Sequence, residues 1–195
     1  MINVTFDNFY SFDSKTRKKY INDIEVLKQM IKTNVSEHRY LHSLSVADTC
    51  KSLALKNKVN PDKAYLAGLL HDCCKFKDEQ GIKELEDYLK YYDPEKLNGV
   101  TGVYHSWVAK YYLKDKLNFH DKDILNAIYN HTVCNSNDKL SIILYIADKR
   151  EPLRNINDGI LELAHTDLVK AYRILKYDVK KYLEDNNEQF IEPSL

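Results

Sequence analysis

Apolar positions recur every three or four residues through most of the chain, the spacing of one face of an α-helix. Tyr20, Ile24, Leu27 and Ile31 share such a face and predict a first helix over 15–32. Ser36 is placed to cap a second helix, whose face reads Leu41, Leu44, Ala47, Cys50 and Ala54. Asn60-Pro61 joins a capping residue to a proline at the first helical position, and opens a third helix with Ala64, Ala67, Leu70 and Cys74 as its stripe. Gly81 and Pro94 punctuate a charged, tyrosine-rich stretch read as one helix and a loop; Gly99 and Gly102 precede a helix over 103–116. Two more helices are expected at 121–131 and 139–149, separated by the polar loop 135–138, the second stopped by Pro152. Thr166 is expected to cap a last long helix with Leu168, Tyr172, Leu175, Val179 and Leu183 on one face. Residues 1–14 read as a polar, aromatic-spotted lead-in and the tail from Asn186 as a fraying end. No internal repeat interrupts this pattern, so a single all-α domain is expected.

Composition sharpens the picture. In 195 residues there are only 5 glycines and 4 prolines, too few for the tight turns of an all-β fold. Lys+Arg and Asp+Glu both number 29, so the formal net charge is zero and no overall field favours nucleic acid. The apolar runs, of which 142–147 is typical, are far short of the ~20 residues that span a bilayer. The first residues lack the basic-then-apolar order of a secretory signal. Cys50, Cys73, Cys74 and Cys134 form no C-x-x-C pair and read as reduced, packed thiols of a cytoplasmic protein.

The chemistry points to histidine and aspartate. His71-Asp72 ends an apolar helical run, and Asp148 ends another at 142–147. A carboxylate carried into a core is costly unless a cation meets it. His42 lies on the preceding helix, beside Leu41 and Leu44 and so near the inner face. His42, His71, Asp72 and Asp148 then offer two imidazoles and two carboxylates with no thiolate, a donor set suited to Fe, Mn, Co or Zn. Four or fewer protein ligands leave positions open for water and substrate, as a catalytic metal requires. A single His-Asp pair could equally be a helix-end hydrogen bond, and Asp148 could pair with Lys149 or Arg150; the ordered set favours a metal. His105 and His131, both at helix boundaries, could bind a second metal, donate to a phosphoryl oxygen or lie at the surface. His38, His120 and His165 read as ordinary. Arg39 and Arg154 lie close in sequence to His42 and Asp148, and Lys75 follows Asp72 by three residues; all three suit phosphate, with a solvated charge as the plainer reading. Arg150, in a charged run, favours the plainer one. The 15 tyrosines at helical spacing read as core. No Walker or dinucleotide loop and no Ser or Cys nucleophile sequence is present.

Four segments carry a family resemblance: Arg39-Tyr40-Leu41-His42-Ser43-Leu44-Ser45-Val46, Ala67-Gly68-Leu69-Leu70-His71-Asp72, Ala127-Ile128-Tyr129-Asn130-His131-Thr132, and Tyr145 to Arg154. Over about 20–185 the chain resembles the HD-domain metal-dependent phosphohydrolases, and among them the YqeK-type symmetrical diadenosine tetraphosphate hydrolases. The resemblance implies an HD-domain helical bundle over 20–185, with 1–19 an N-terminal extension and 186–195 a tail. It implies that His42, His71, Asp72 and Asp148 hold an iron-like metal. It implies too that His105 and His131 face the phosphates, with a second iron as one arrangement, and that Arg39 lies near the nucleotide. Asp72, His105 and His131 would act in catalysis, and Arg39, Lys75, His105, His131 and Arg154 would bind a dinucleoside polyphosphate and its ADP product. The chain could work alone or as a homodimer. Where the family usually carries glycine after the first of the later histidines, this chain has Ser106, and where it carries glycine soon after the His-Thr pair, this chain has Val133-Cys134. The competing readings are another HD nucleotide phosphatase or phosphodiesterase, and a nucleotide-sensing regulator without turnover.

Overall fold

The computed structural model describes residues 3–76, 85–91, 103–186 and 188. Among these it has nine α-helices and no strand beyond one isolated bridge between Val35 and Phe76. The helices are α1 (Ser14–Tyr20), α2 (Ile24–Asn34), α3 (Glu37–Asn57), α4 (Pro61–Leu70), α5 (Tyr104–Leu117), α6 (Lys122–Asn130), α7 (Lys139–Arg150), α8 (Ile160–Thr166) and α9 (Leu168–Asp185), with 3-10 turns at Phe9–Ser11, Leu85–Tyr91 and Pro152–Arg154. The all-α expectation holds.

Capping explains most of the boundaries. Ser36 accepts from the Arg39 amide and starts α3, and Asn60 accepts from Asp62 and Lys63 ahead of Pro61. The expected single helix over 15–32 is two helices. Asn22 bonds back to the Lys18 carbonyl, and Asp23 takes the amides of Glu25 and Val26, so a new N-cap wins over an apolar periodicity that runs through it. The last helix is capped by Asp167, whose carboxylate accepts from the Lys170 amide; Thr166 instead ends the unforeseen short helix α8, which begins after Gly159 at φ 76°. Gly81, Pro94, Gly99 and Gly102 lie outside the described residues, as does the tail except for Asn186 and Glu188.

The lead-in is not merely polar. Val4, Phe6 and Phe9 are buried in the main core, Phe6 with its ring 5.4 Å from that of Tyr112 on α5. Their spacing fits no helix, which hid them from a periodicity reading. Helix α3 is the central element, packing on α4, α7 and α8. Its buried face runs through His42, Val46, Thr49, Cys50 and Leu53. Leu41, one residue and ~100° away, is 50% exposed, so it does not belong to the inner face. Helices α3 and α4 approach so closely that a Cβ on Gly68 would lie 2.6 Å from the Ala47 Cα.

Candidate metal centre

Five helix ends converge. His42 stands in the second turn of α3, His71 is the C-cap of α4 with Asp72 beyond it, His105 opens α5, His131 is the C-cap of α6 and Asp148 lies in the last turn of α7. The close α3–α4 packing at Gly68 brings the first three together. The four histidines and two aspartates named from the sequence as metal or phosphate ligands therefore meet in one place.

Asp72 sits between two halves of the cluster. One carboxylate oxygen, Oδ2, lies 3.5 Å from His71 Nε2 and 4.0 Å from His42 Nε2. The other, Oδ1, lies 3.4 Å from His105 Nε2 and 3.6 Å from His131 Nε2. His42, His71 and Asp72 form one group able to hold a metal ion, and Asp72, His105 and His131 form another. Asp148 Oδ1 joins the first half, 3.2 Å from His42 Nε2 and 3.7 Å from His71 Nε2. The two later imidazoles face each other, Nε2 to Nε2, at 3.1 Å.

The donor chemistry fits a divalent cation. His71 and His131 turn Nδ1 to the carbonyls of Gly68 and Ile128, each at 2.7 Å. A carbonyl accepts only, so Nδ1 carries the proton and Nε2 points its lone pair inward. His71 Nε2 is buried with no hydrogen-bond partner among the described residues, a cost that a cation would remove. Two imidazoles and two carboxylates in the first half, and no thiolate, are the mixed N/O set expected of such a site.

Cations surround the acids. Arg39 Nη1 lies 3.2 Å from Asp72 Oδ2, and Lys75 Nζ 3.2 Å from Asp72 Oδ1. Arg154 Nη2 lies 3.1 Å from Asp148 Oδ1, and Lys149 Nζ 3.4 Å from Asp148 Oδ2. Arg39, Lys75 and Arg154 keep about a third of their side chains exposed. Arg150 turns away to Asp158 at 2.7 Å. His38 and His120 are exposed, and His165 pairs with Ser52 and the Leu161 carbonyl, far from the cluster in the fold.

These neighbours set the protonation states. Burial alone would raise the Asp72 carboxyl, but His71, His131 and Lys75 outweigh it and hold the group well below the usual carboxylate range. Burial opposes ionisation of Asp148 too, and Lys149, His42 and His71 overcome it. His71 would be lowered by burial but is raised by Asp72 and Asp148. His105 is driven well below its ordinary value, first by burial and also by the neighbouring His131 imidazole and Lys75. Burial lowers His131 despite the nearby Asp72.

Two surrounding residues, Glu151 and Ser45, escaped the sequence reading, and Lys149, named there only as a partner of Asp148, does more than pair with it. Glu151 is buried beside His42, Ser45 bonds to Glu151, and Lys149 reaches the His131 carbonyl at 3.2 Å. The charges that follow Asp148, at 149–151, read as solvated surface in one dimension, and only the turn at Pro152 shows which members point inward. The family departures are also placed. Ser106 Oγ donates to the Val103 carbonyl and lies 2.8 Å from Thr132 Oγ1, tying the start of α5 to the loop after His131. Cys134 is buried and its carbonyl accepts from Tyr172 Oη at 2.6 Å.

Comparisons with known proteins identify the family of the chain. Residues 39–153 match the HD domain. The chain is 35% identical over 170 residues to a probable nicotinate-nucleotide adenylyltransferase/Ap4A hydrolase of Mycoplasma genitalium, covering 81% of this chain and 47% of that protein. It thus spans about half the length of that relative. It is 31% identical over 149 residues to a symmetrical bis(5'-nucleosyl)-tetraphosphatase of Halalkalibacterium halodurans, covering 72% and 76%. A crystal structure from Clostridium acetobutylicum, described as a predicted HD superfamily hydrolase involved in NAD metabolism, superposes with a TM-score of 0.69 at 29% identity, covering 91% and 90%.

Proposed function

The chain belongs to the HD-domain family of hydrolases, and from that premise we propose that it hydrolyses phosphoanhydride bonds in nucleotides, cleaving diadenosine tetraphosphate symmetrically into two ADP. The observation that carries the reading is the placement of Asp72. One buried carboxylate is shared by two histidine pairs and is flanked by Arg39 and Lys75 on its solvent side. Support for the substrate comes from relatives that carry the tetraphosphatase name.

His42, His71, Asp72 and Asp148 would hold one metal, and Asp72, His105 and His131 a second, with iron as the proposed element and Mn, Co or Zn as substitutes. Such a metal supplies Lewis-acid polarisation of a phosphoryl oxygen and acidification of water. The chain's own groups do the rest. Arg39, Lys75 and Arg154 bind the polyphosphate, and their charge offsets the negative charge that grows on the phosphoryl oxygens. Asp72 orients the attacking water from Oδ1. His105 and His131 stand beside Asp72 Oδ1 on the side facing Lys75, where they would meet the phosphoryl oxygens, and the proton of the attacking water passes to solvent. The new P–O bond forms at the phosphorus one removed from an end of the bridge. The bond to the central bridging oxygen breaks, and that oxygen leaves on the second ADP. The same reading places the protein in the cytoplasm, consistent with four free, buried thiols. Among the described residues no helix is long and apolar enough to cross a membrane.

The test is product analysis. Protein purified without chelators and supplied with Fe2+ or Mn2+ should convert the dinucleotide to ADP alone, and Asp72→Asn should abolish turnover. AMP plus ATP as products would refute symmetrical cleavage. Nucleotide binding with background turnover across several metals would refute the hydrolase reading and favour a sensor.

A further inference from the structure

Each imidazole of the centre has two ring nitrogens, and the partner of one decides what the other can offer. For His71 and His131 that partner is an uncharged main-chain carbonyl. His42 differs. Its Nδ1 lies 3.1 Å from Oε1 of Glu151, a carboxylate only 2% exposed. The other oxygen of Glu151 is held twice, accepting from Ser45 Oγ at 2.5 Å and from the Leu153 main-chain amide at 2.7 Å.

We propose that Glu151 is a positioning residue of the metal centre. It fixes His42 with the proton on Nδ1 and the lone pair on Nε2, and its charge makes His42 a stronger donor than the carbonyl-backed histidines. The inference rests on the metal-centre reading above and adds a rank order to it: the half containing His42 is the tighter one.

The two anchors on Oε2 make the proposal sharp. The Leu153 amide follows Pro152 in the 3-10 turn and is a main-chain donor that cannot turn over. In a Glu151→Gln variant an oxygen must stay opposite that amide, because two N–H groups cannot face each other. The side-chain NH2 then points at His42 Nδ1. His42 can meet it only by giving up the Nδ1 proton and accepting there. The neutral ring then carries its proton on Nε2, the nitrogen that lies 3.2 Å from Asp148 Oδ1 and faces the cluster. Glutamine thus preserves volume and shape while moving one proton to the wrong nitrogen.

The experiment titrates Co2+ into the purified wild type, Glu151→Gln, His42→Ala and the double variant. Affinity is read by calorimetry and the ligand set by the visible absorption of bound cobalt. Glu151→Gln should weaken the tighter site by about 10–100-fold and change the cobalt spectrum. In the His42→Ala background the same change should have no further effect, because Glu151 acts through His42. Wild-type affinity and spectrum in Glu151→Gln would overturn the proposal, as would an equal additional loss without His42. Should Glu151→Gln fail to fold, imidazole 15N shifts of the zinc-loaded wild type decide the matter. Coordination of His42 through Nε2 with Nδ1 protonated supports the proposal, and coordination through Nδ1 overturns it. A wild type that takes up neither ion would overturn the metal-centre reading and this inference together, a result distinct from metal binding that ignores residue 151.

Discussion

Gly68 is the position where fold and site are most tightly linked, and Gly68→Ala tests that link. The added Cβ would lie 2.6 Å from the Ala47 Cα, 2.8 Å from the Ala47 nitrogen and 3.0 Å from the Val46 carbonyl carbon. All three are main-chain atoms, so no side chain can rotate away. Helices α3 and α4 must part by about 0.8 Å to bring the closest pair to ordinary contact at 3.4 Å. Overpacking of this kind costs ~1–3 kcal/mol, here toward the upper end, and alanine returns ~1 kcal/mol of helix propensity. The net is a loss of ~2 kcal/mol, or roughly 4–8 °C in Tm for a domain of this size. The second consequence falls on chemistry. His42 rides on α3 and His71 on the end of α4, and their Nε2 atoms lie 3.2 and 3.7 Å from the same Asp148 oxygen. Metal ligation tolerates ~0.2 Å, so the shift should weaken Mn2+ binding at least ~10-fold. Thermal melting of the chelated protein gives the first number and a Mn2+ titration the second. Gly159→Ala is the control, since no described residue lies within 4 Å of its would-be Cβ; its φ of +76° costs ~1 kcal/mol of strain without touching metal affinity. A Gly68→Ala protein as stable as wild type and with wild-type Mn2+ affinity would refute the argument.

Three further outcomes are expected. Chelation should lower the Tm by roughly 5–11 °C relative to protein at 100 times its metal Kd, from ~2.7 kcal/mol of linkage, and metal should restore it; an unchanged melt counts against the centre. In the chelated protein, His105 and His131 have folded pKa values below the unfolded ~6.5, so as pH falls below that value the unfolded chain binds more protons and stability drops. His71, raised in the fold, contributes in the opposite sense, stabilising below ~6.5 and losing that contribution as pH rises through its folded value, but it is one group against two. Urea midpoints should therefore be lower at pH 5.5 than at 7.5, and the reverse order would contradict the burial of the two later histidines. Tyr172→Phe removes the bond to the Cys134 carbonyl and should cost ~1 kcal/mol, about 2–4 °C, while turnover is unchanged; loss of turnover would mean that the loop after His131 depends on that single bond.

The helices were legible wherever capping and periodicity agreed, as at Ser36 and Asn60-Pro61. They were misread where capping broke a periodic run, at Asp23, or sat one residue late, at Asp167. Phe6 and Phe9 were missed because burial in an irregular segment leaves no repeat to detect. At the site, the histidines and aspartates stood out because polar residues ending apolar runs demand partners. Leu41 was a poor guide to His42, since helical neighbours point in different directions; Val46, Thr49 and Cys50 mark its face. Glu151 gave no such signal. It sits among charges, and its burial depends on the turn at Pro152 and on Ser45, 106 residues away.

Charge illustrates the same limit from the other side. A balance of 29 basic and 29 acidic residues argues against a polyanion-binding surface when averaged over the chain. The averaging hides the site. Around Asp72, Asp148 and Glu151 the fold gathers Arg39, Lys75, Lys149 and Arg154, so the cluster carries one more positive than negative side chain before any metal is counted. Two of those cations are held at each shared carboxylate, where burial strengthens their field beyond that of the same charges in water. A chain of zero net charge can therefore gather a local excess of cations around buried carboxylates, which is what the proposed polyphosphate substrate would require.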